Sequence, residues 1–166
     1  MKTLVVYYAR TYTTELLASD IARYLGADIE VLIEAKKRLG PRPIRHLVED
    51  IDARRRKLTS IQVQKSPQDY DLIVIGTPLL LGRITPEVRA YLASQNLEGK
   101  KVGFFFTGGG SGTEKVVSEL KRLTPKSTFM GSLTVTEKEF RLGTYILKIK
   151  PFADSLKQVD QAPPAA

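Results

Sequence analysis

Apolar residues fall along this chain in two alternating rhythms. Short, mainly apolar runs, Lys2 to Tyr8, Asp71 to Thr77 and Lys101 to Thr107, read as buried strands. Between them apolar residues recur at helical spacing. Leu16, Leu17, Ile21, Tyr24 and Leu25 predict a helix closing at Gly26, a residue suited to a C-cap. Thr85, Pro86 and Glu87 form an N-cap, a first-position proline and a first-turn acid, so a helix follows with Val88, Tyr91 and Leu92 inward. Val116, Val117 and Leu120 give the helix from Thr113 to Leu123 its inner face, and Thr128 to Thr136 reads as a last strand. Asp28 to Ile33 alternates weakly, as a strand does. A closing helix is expected within 143–159, with Pro151 as a break or start.

Residues 34–66 are harder to read. Gly40-Pro41-Arg42-Pro43 breaks the chain. Ile44, Leu47, Val48, Ile51 and Leu58 then predict an amphipathic helix with its apolar side inward and a strongly basic outer face.

Strand followed by helix recurs five times without a sequence repeat. Near-continuous apolar strands alternating with amphipathic helices imply an α/β fold: a five-stranded parallel sheet, doubly wound, in three layers. One domain is expected over 1–158, and the tail 159–166, rich in Pro and Ala, is expected to be disordered. Ligands of such folds sit at the carboxyl ends of the strands, near the topological switch point. Three loops belong there: 9–14, 77–84 and 107–112.

Loop 9–14 carries the hydroxyls of Thr11, Thr13 and Thr14 at a helix start, beside Ala9, Arg10 and Tyr12. Unpaired N–H groups and a partial positive charge suit an anion such as a phosphate; the plainer alternative is that Thr13 or Thr14 only caps the helix. The second loop runs Thr77-Pro78-Leu79-Leu80-Leu81-Gly82. Three leucines between turn residues offer a wall for a flat apolar ligand, or pack beneath the neighbouring helix. In the third, Thr107-Gly108-Gly109-Gly110-Ser111-Gly112, glycines allow backbone N–H groups to approach a ligand closely, unless the loop is simply a turn. Position 113 is Thr, so this is not a dinucleotide fingerprint, and no Gly-Lys-Ser/Thr ending makes it a P-loop.

The rest of the composition mostly excludes. The 166 residues contain no cysteine, which removes disulfides, thiol nucleophiles and thiolate metal sites. With one histidine, His46, read as a solvated surface residue, a catalytic triad or His-rich metal site has no material. No carboxylates stand where a phospho-receiver domain needs them at the ends of its first and third strands; Ala9-Arg10 and Thr77 do. No apolar run approaches the about 18 residues of a membrane helix, and a cytoplasmic location is expected. Phe104 to Phe106 read as strand core. The net charge is +8, and +6 of it lies in 36–58, which holds nine basic and three acidic residues. That segment is either a solvated face or the meeting place for an acidic partner. It has no Phe, Tyr or Trp to stack on bases, which argues against nucleic acid.

Three stretches carry a resemblance. Leu4-Val-Val-Tyr-Tyr-Ala-Arg-Thr-Tyr-Thr-Thr14, Tyr70-Asp-Leu-Ile-Val-Ile-Gly-Thr-Pro78 with Gly82-Arg-Ile-Thr-Pro86, and Gly99-Lys-Lys-Val-Gly-Phe-Phe-Phe-Thr-Gly-Gly109 resemble the flavodoxin family, in its short-chain form, over most of 1–158. The resemblance implies FMN as cofactor. Ala9 to Thr14 would hold its phosphate, and Thr77 to Gly82 with Thr107 to Gly110 would flank the isoalloxazine ring. It also implies a redox partner protein, and electron transfer or an FMN-dependent NAD(P)H or quinone reaction. Two departures stand out. The family's first loop usually reads S/T-x-T-G-x-T, where this chain has Ala9 and Tyr12, and Leu80 occupies a place that is often aromatic. A protein of this fold that has lost FMN is the alternative reading.

Overall fold

The computed structural model describes residues 1–35, 40–55, 59–110 and 112–158. Leu58, Ser111 and the tail 159–166 therefore lie outside the described residues, as do Lys36, Lys37, Arg38, Arg56 and Lys57 of the basic segment. Five parallel strands form the central sheet: β1 (Thr3–Tyr7), β2 (Asp28–Val31), β5 (Leu72–Pro78), β6 (Lys101–Thr107) and β7 (Thr128–Val135), in the order β2-β1-β5-β6-β7. The order runs outward from β1 in one direction and reverses at β5, which is the doubly wound arrangement expected from the alternation of elements. The bodies of β1, β5 and β6 are apolar and buried, as both of their faces are covered. On one face Ile73, Ile75, Phe104 and Phe106 pack with Val88 and Tyr91 of α3 (Pro86–Ser94) and Val116 and Leu120 of α4 (Thr113–Leu123). On the other, Val5, Val74 and Phe105 pack with Leu17 and Ile21 of α1 (Tyr12–Leu25) and Phe152 and Leu156 of α6 (Ile146–Lys157).

Caps fall where their residues demand. Gly26 ends α1 at φ +62°, a conformation that costs glycine little. Thr85 Oγ1 accepts the Val88 N–H at 3.3 Å at the start of α3.

Three local features differ from the sequence expectation. The strand expected over 28–33 divides. After Val31 the chain leaves the sheet, and β3 (Ile33–Glu34) pairs antiparallel with β4 (Ile61–Gln62). A short helix, α5 (Glu137–Leu142), precedes the closing helix; its capping box joins Thr136 and Glu139 reciprocally, and Pro151 sits inside α6.

The third difference is the largest. A helix does form, as α2 (Arg42–Arg54), but its apolar side faces outward. Ile44 is 53% exposed and Leu47 58%, with Val48 and Ile51 also exposed, while Glu49 and Ala53 are buried. The reason lies in partners distant in sequence. Tyr8 donates to Glu49 at 3.0 Å, and Arg10 holds Asp50 at 2.5 Å, so the polar side of α2 is drawn onto β1 and its following loop.

Candidate functional site

β1, β5 and β6 are neighbours in the sheet and run parallel, so the loops that leave them emerge along one edge. Hydrogen bonds then draw the loops together. Thr14, in the first turn of α1, shares a buried hydroxyl–hydroxyl bond of 2.6 Å with Thr107 at the end of β6. The Leu79 N–H donates to the Thr107 carbonyl at 3.0 Å. Thr107 thus joins the first and second loops to the third.

The first loop presents a helix start with little internal satisfaction. Thr11 is the N-cap residue of α1, yet its side chain makes no capping bond. Instead Thr11 and Thr13 share a hydroxyl bond of 2.7 Å at the surface. The first N–H groups of α1 have no intrahelical partner, and with these hydroxyls they form a donor cluster for an oxyanion. Capping alone therefore does not account for Thr13 or Thr14. Tyr12 opens the helix and is 70% exposed, standing clear of the core. Ala9 is half-buried. Arg10 belongs to the same loop, but its guanidinium is engaged by Asp50 and, at 3.7 Å, by Glu49.

The second loop is a closed turn. Leu80 and Arg83 exchange backbone bonds of 2.8 and 2.9 Å, with Leu81 (φ +50°) and Gly82 (φ +72°) between them. Positive φ at both central residues is the signature of a type I′ turn. Thr77 Oγ1 donates to the Pro78 carbonyl and accepts the Thr85 N–H, tying the loop's two ends together. Of the three leucines, Leu80 is buried at 5% exposure, Leu79 is half-buried against the core, and Leu81 is 66% exposed. The free apolar surface of this loop belongs to Leu81.

In the third loop Gly108 (φ +76°) and Gly109 (φ +74°) adopt the left-handed conformation. A Cβ on Gly109 would stand 3.3 Å from Leu79 Cδ1, so the backbone here lies close against the second loop. Gly110 opens onto a cavity of 610 Å³ shared with Thr113, Thr136 and Lys148.

A second cavity, of 460 Å³, lies on the other side of β1. Tyr8, Ala9 and Arg10 form one wall and α2 another. Burial, reinforced by Glu87 and Glu49, pushes the Tyr8 phenol well up, so it remains a neutral donor to Glu49. The sequence offered no sign of this contact, because Tyr8 and Glu49 are joined only by the fold.

The three loops therefore combine an oxyanion donor cluster, an exposed leucine and a glycine backbone within one sheet edge. That set has the chemistry to hold a phosphate and to lie against a flat apolar ring. Residues 2–141 match the family model described as Flavodoxin. The fold is shared with a Lactobacillus acidophilus NCFM flavoprotein in complex with FMN, at 19% identity and a TM-score of 0.68 over 87% of this chain and 97% of that one. It is shared with the two-electron reduced flavodoxin of Megasphaera elsdenii, at 22% identity and a TM-score of 0.56 over 94% and 99%. An NADH:FMN oxidoreductase in its apo form is similar at 16% identity and a TM-score of 0.58 over 96% and 92%. At these identities the three structures speak for the fold alone.

Proposed function

The chain belongs to the flavodoxin family, and we propose that it binds FMN non-covalently and works in electron transfer or flavin-dependent redox chemistry. The observation that supports this reading most directly is the convergence of the three loops on Thr107, through the Thr14 hydroxyl and the Leu79 N–H. FMN would supply the redox chemistry; the protein's part is binding, orientation and electrostatics.

In this reading Ala9 to Thr14 hold the phosphate. The N-terminal amides of α1 and the hydroxyls of Thr11 and Thr13 donate to it, while Thr14 positions the turn through Thr107. Arg10 steadies the loop from behind through Asp50 instead of pairing with the phosphate. Thr77 to Gly82 and Thr107 to Gly110 flank the ring, with Leu81 as the apolar contact and the glycine N–H groups available to its polar edge.

The test is a titration of FMN-free protein, followed by flavin fluorescence and native mass spectrometry. Saturable binding of one FMN per chain is expected. No binding at high-micromolar FMN would overturn the reading and leave a flavodoxin-fold binding protein without its flavin. Turnover of NADH, NADPH or a quinone by the loaded protein would mark a reductase; its absence, with electron exchange to another protein, would mark a carrier.

A partner with an acidic face fits the exposed end of α2, where Arg54 and Arg55 project beside the exposed apolar residues of that helix. Steering by these charges weakens with ionic strength. Association rates indifferent to salt and to neutralisation of Arg54 and Arg55 would remove this part of the reading. No helix among the described residues is long and apolar enough to cross a membrane.

A further inference from the structure

The orientation of α2 sets cations along the rim of a cavity. Arg42, Arg45 and His46 stand at helical spacing on the side of α2 that lines the 460 Å³ cavity. The cavity's other cation, Arg10, is already held by Asp50 and Glu49. Its two carboxylates are occupied as well: Glu49 accepts from Tyr8, and Glu34 accepts from Thr59 at 3.3 Å. The side chains of Arg42, Arg45 and His46, by contrast, make no hydrogen bond or ion pair with any described residue, and Arg45 Nε is withdrawn from solvent without a partner. A guanidinium nitrogen shielded in this way needs an acceptor.

The wall opposite has a different character. Val31 and Ile33, where the chain leaves β2 for β3, line the cavity and are exposed to 42% and 54%. Unpaired cationic side chains from α2 and exposed aliphatic side chains from the β2–β3 stretch describe a ligand with two ends. The volume suits a small organic molecule.

We propose that this cavity binds an oxyanion carried on an apolar body, an organic phosphate or carboxylate. Arg42 and Arg45 grip the oxyanion, since a guanidinium offers paired N–H donors that match either group. His46 lies beside them, and Val31 and Ile33 cover the apolar end. The site borders the proposed phosphate loop, with which it shares Ala9 and Arg10, but β2 and β5 flank β1 on opposite sides, and the cavity opens on the β2 side, away from the second and third loops. The proposal does not depend on FMN binding.

His46 is the chain's one histidine, so its imidazole NMR signal reports on the cavity without overlap. FMN-free and FMN-treated protein would each be titrated with phenyl phosphate, benzoate and inorganic phosphate. A saturable His46 shift is expected from phenyl phosphate or benzoate, at lower concentration than from inorganic phosphate, and the tighter of the two names the oxyanion. Arg42→Gln with Arg45→Gln should weaken that ligand by about tenfold or more, given the loss of charge-assisted bonds. FMN affinity should not change, and Arg122→Gln, at an exposed position near the end of α4, should have no effect. If the double variant does not fold, contacts from the phenyl ring to the Val31 and Ile33 methyls in the unaltered protein decide the matter. No His46 shift at millimolar ligand, or equal weakening by Arg122→Gln, overturns the proposal. So does a double variant that loses FMN but not riboflavin, because the cavity would then be the cofactor's own phosphate site. If FMN does not bind at all, the titration of FMN-free protein still gives its answer.

Discussion

Thr14 and Thr107, 93 residues apart, share a 2.6 Å hydroxyl bond that is buried from solvent. The bond fixes the first turn of α1 against the carboxyl end of β6. Removing one partner leaves the other hydroxyl buried and unpaired, which costs about 1–3 kcal/mol. Thr14→Val should therefore lower folding stability by that amount. Thr14→Val combined with Thr107→Val should recover much of the loss, since two apolar groups of the same shape replace the pair. Denaturant unfolding of the four proteins in the cycle measures the coupling; additive losses would show that the two hydroxyls act separately.

Thr11 and Thr13 test the phosphate end of the proposed cofactor site. Their hydroxyls pair with each other at the surface and are free to turn towards an anion. Thr11→Ala should cost FMN about 1.5–3 kcal/mol, or roughly 10- to 150-fold in Kd. Riboflavin has no phosphate and should bind the variant as it binds the parent. Fluorescence titrations of both ligands compare the two losses, and equal weakening would place the phosphate elsewhere.

The centre of the sheet was legible because β1, β5 and β6 are short apolar runs, and α1 and α3 because each carries a local end signal. Thr85 and Gly26 announce their helix ends locally. The orientation of α2 was not legible. Ile44, Leu47, Val48 and Ile51 make a regular apolar stripe, and periodicity alone turns such a stripe inward. What reverses it is a set of polar contacts from Glu49 and Asp50 to Tyr8 and Arg10, about which local sequence says nothing. The three loops were readable as a group from their place after β1, β5 and β6. Their internal division of labour was not: Arg10 is engaged by α2, and the exposed leucine is Leu81, which only the turn geometry reveals.

Gly76 lies opposite Phe105 in the β5–β6 register, and a Cβ there would fall 1.9 Å from Phe105 Cζ. Phe105 is fully buried, so its ring has little room to withdraw. Gly76→Ala should destabilise the fold by about 1–3 kcal/mol, the usual range for overpacking. Phe105→Leu introduced with it should restore part of the loss by giving the new methyl space. Thermal or denaturant unfolding reads both variants, and a neutral Gly76→Ala would mean that the sheet shifts freely at this point.

Glu139 gives the fold an acid-sensitive contact. Lys148 donates to its carboxylate, and Thr136 donates through its N–H at 2.9 Å, so its pKa lies below the ordinary glutamate value. A depressed folded-state pKa means that the unfolded chain takes up this proton first as pH falls. The contribution is complete above the ordinary glutamate range and is lost as pH drops through that range to the folded value. Glu139→Gln should flatten the acid limb of stability against pH and leave the shape near neutrality unchanged. Denaturant midpoints across the acid range provide the comparison, and an identical acid limb in the variant would remove Glu139 from the account.

Leu80 and Leu81 should respond in opposite ways to a large ring. Leu80 is enclosed, and Leu80→Trp forces an indole into packed space at a cost of about 1–3 kcal/mol of folding stability. Leu81 is open to solvent at the tip of the turn. If the ring of FMN lies against this loop, Leu81→Trp adds a ring–ring contact of about 0.5–1.5 kcal/mol, a two- to tenfold gain in affinity. The backbone allows a separate check on the same residue. Leu81 is the non-glycine residue at positive φ among those described, and a left-handed conformation costs such a residue about 1–2 kcal/mol. Leu81→Gly should relieve that strain and hold folding stability level or raise it slightly, while weakening FMN by removal of the apolar contact. Affinity titrations and unfolding curves on the same three variants separate the two effects. If Leu81→Trp and Leu81→Gly both leave FMN affinity unchanged, the ring does not meet this turn. If Leu80→Trp alone tightens FMN without destabilising the fold, the contact belongs to Leu80, and the turn must open when the cofactor binds.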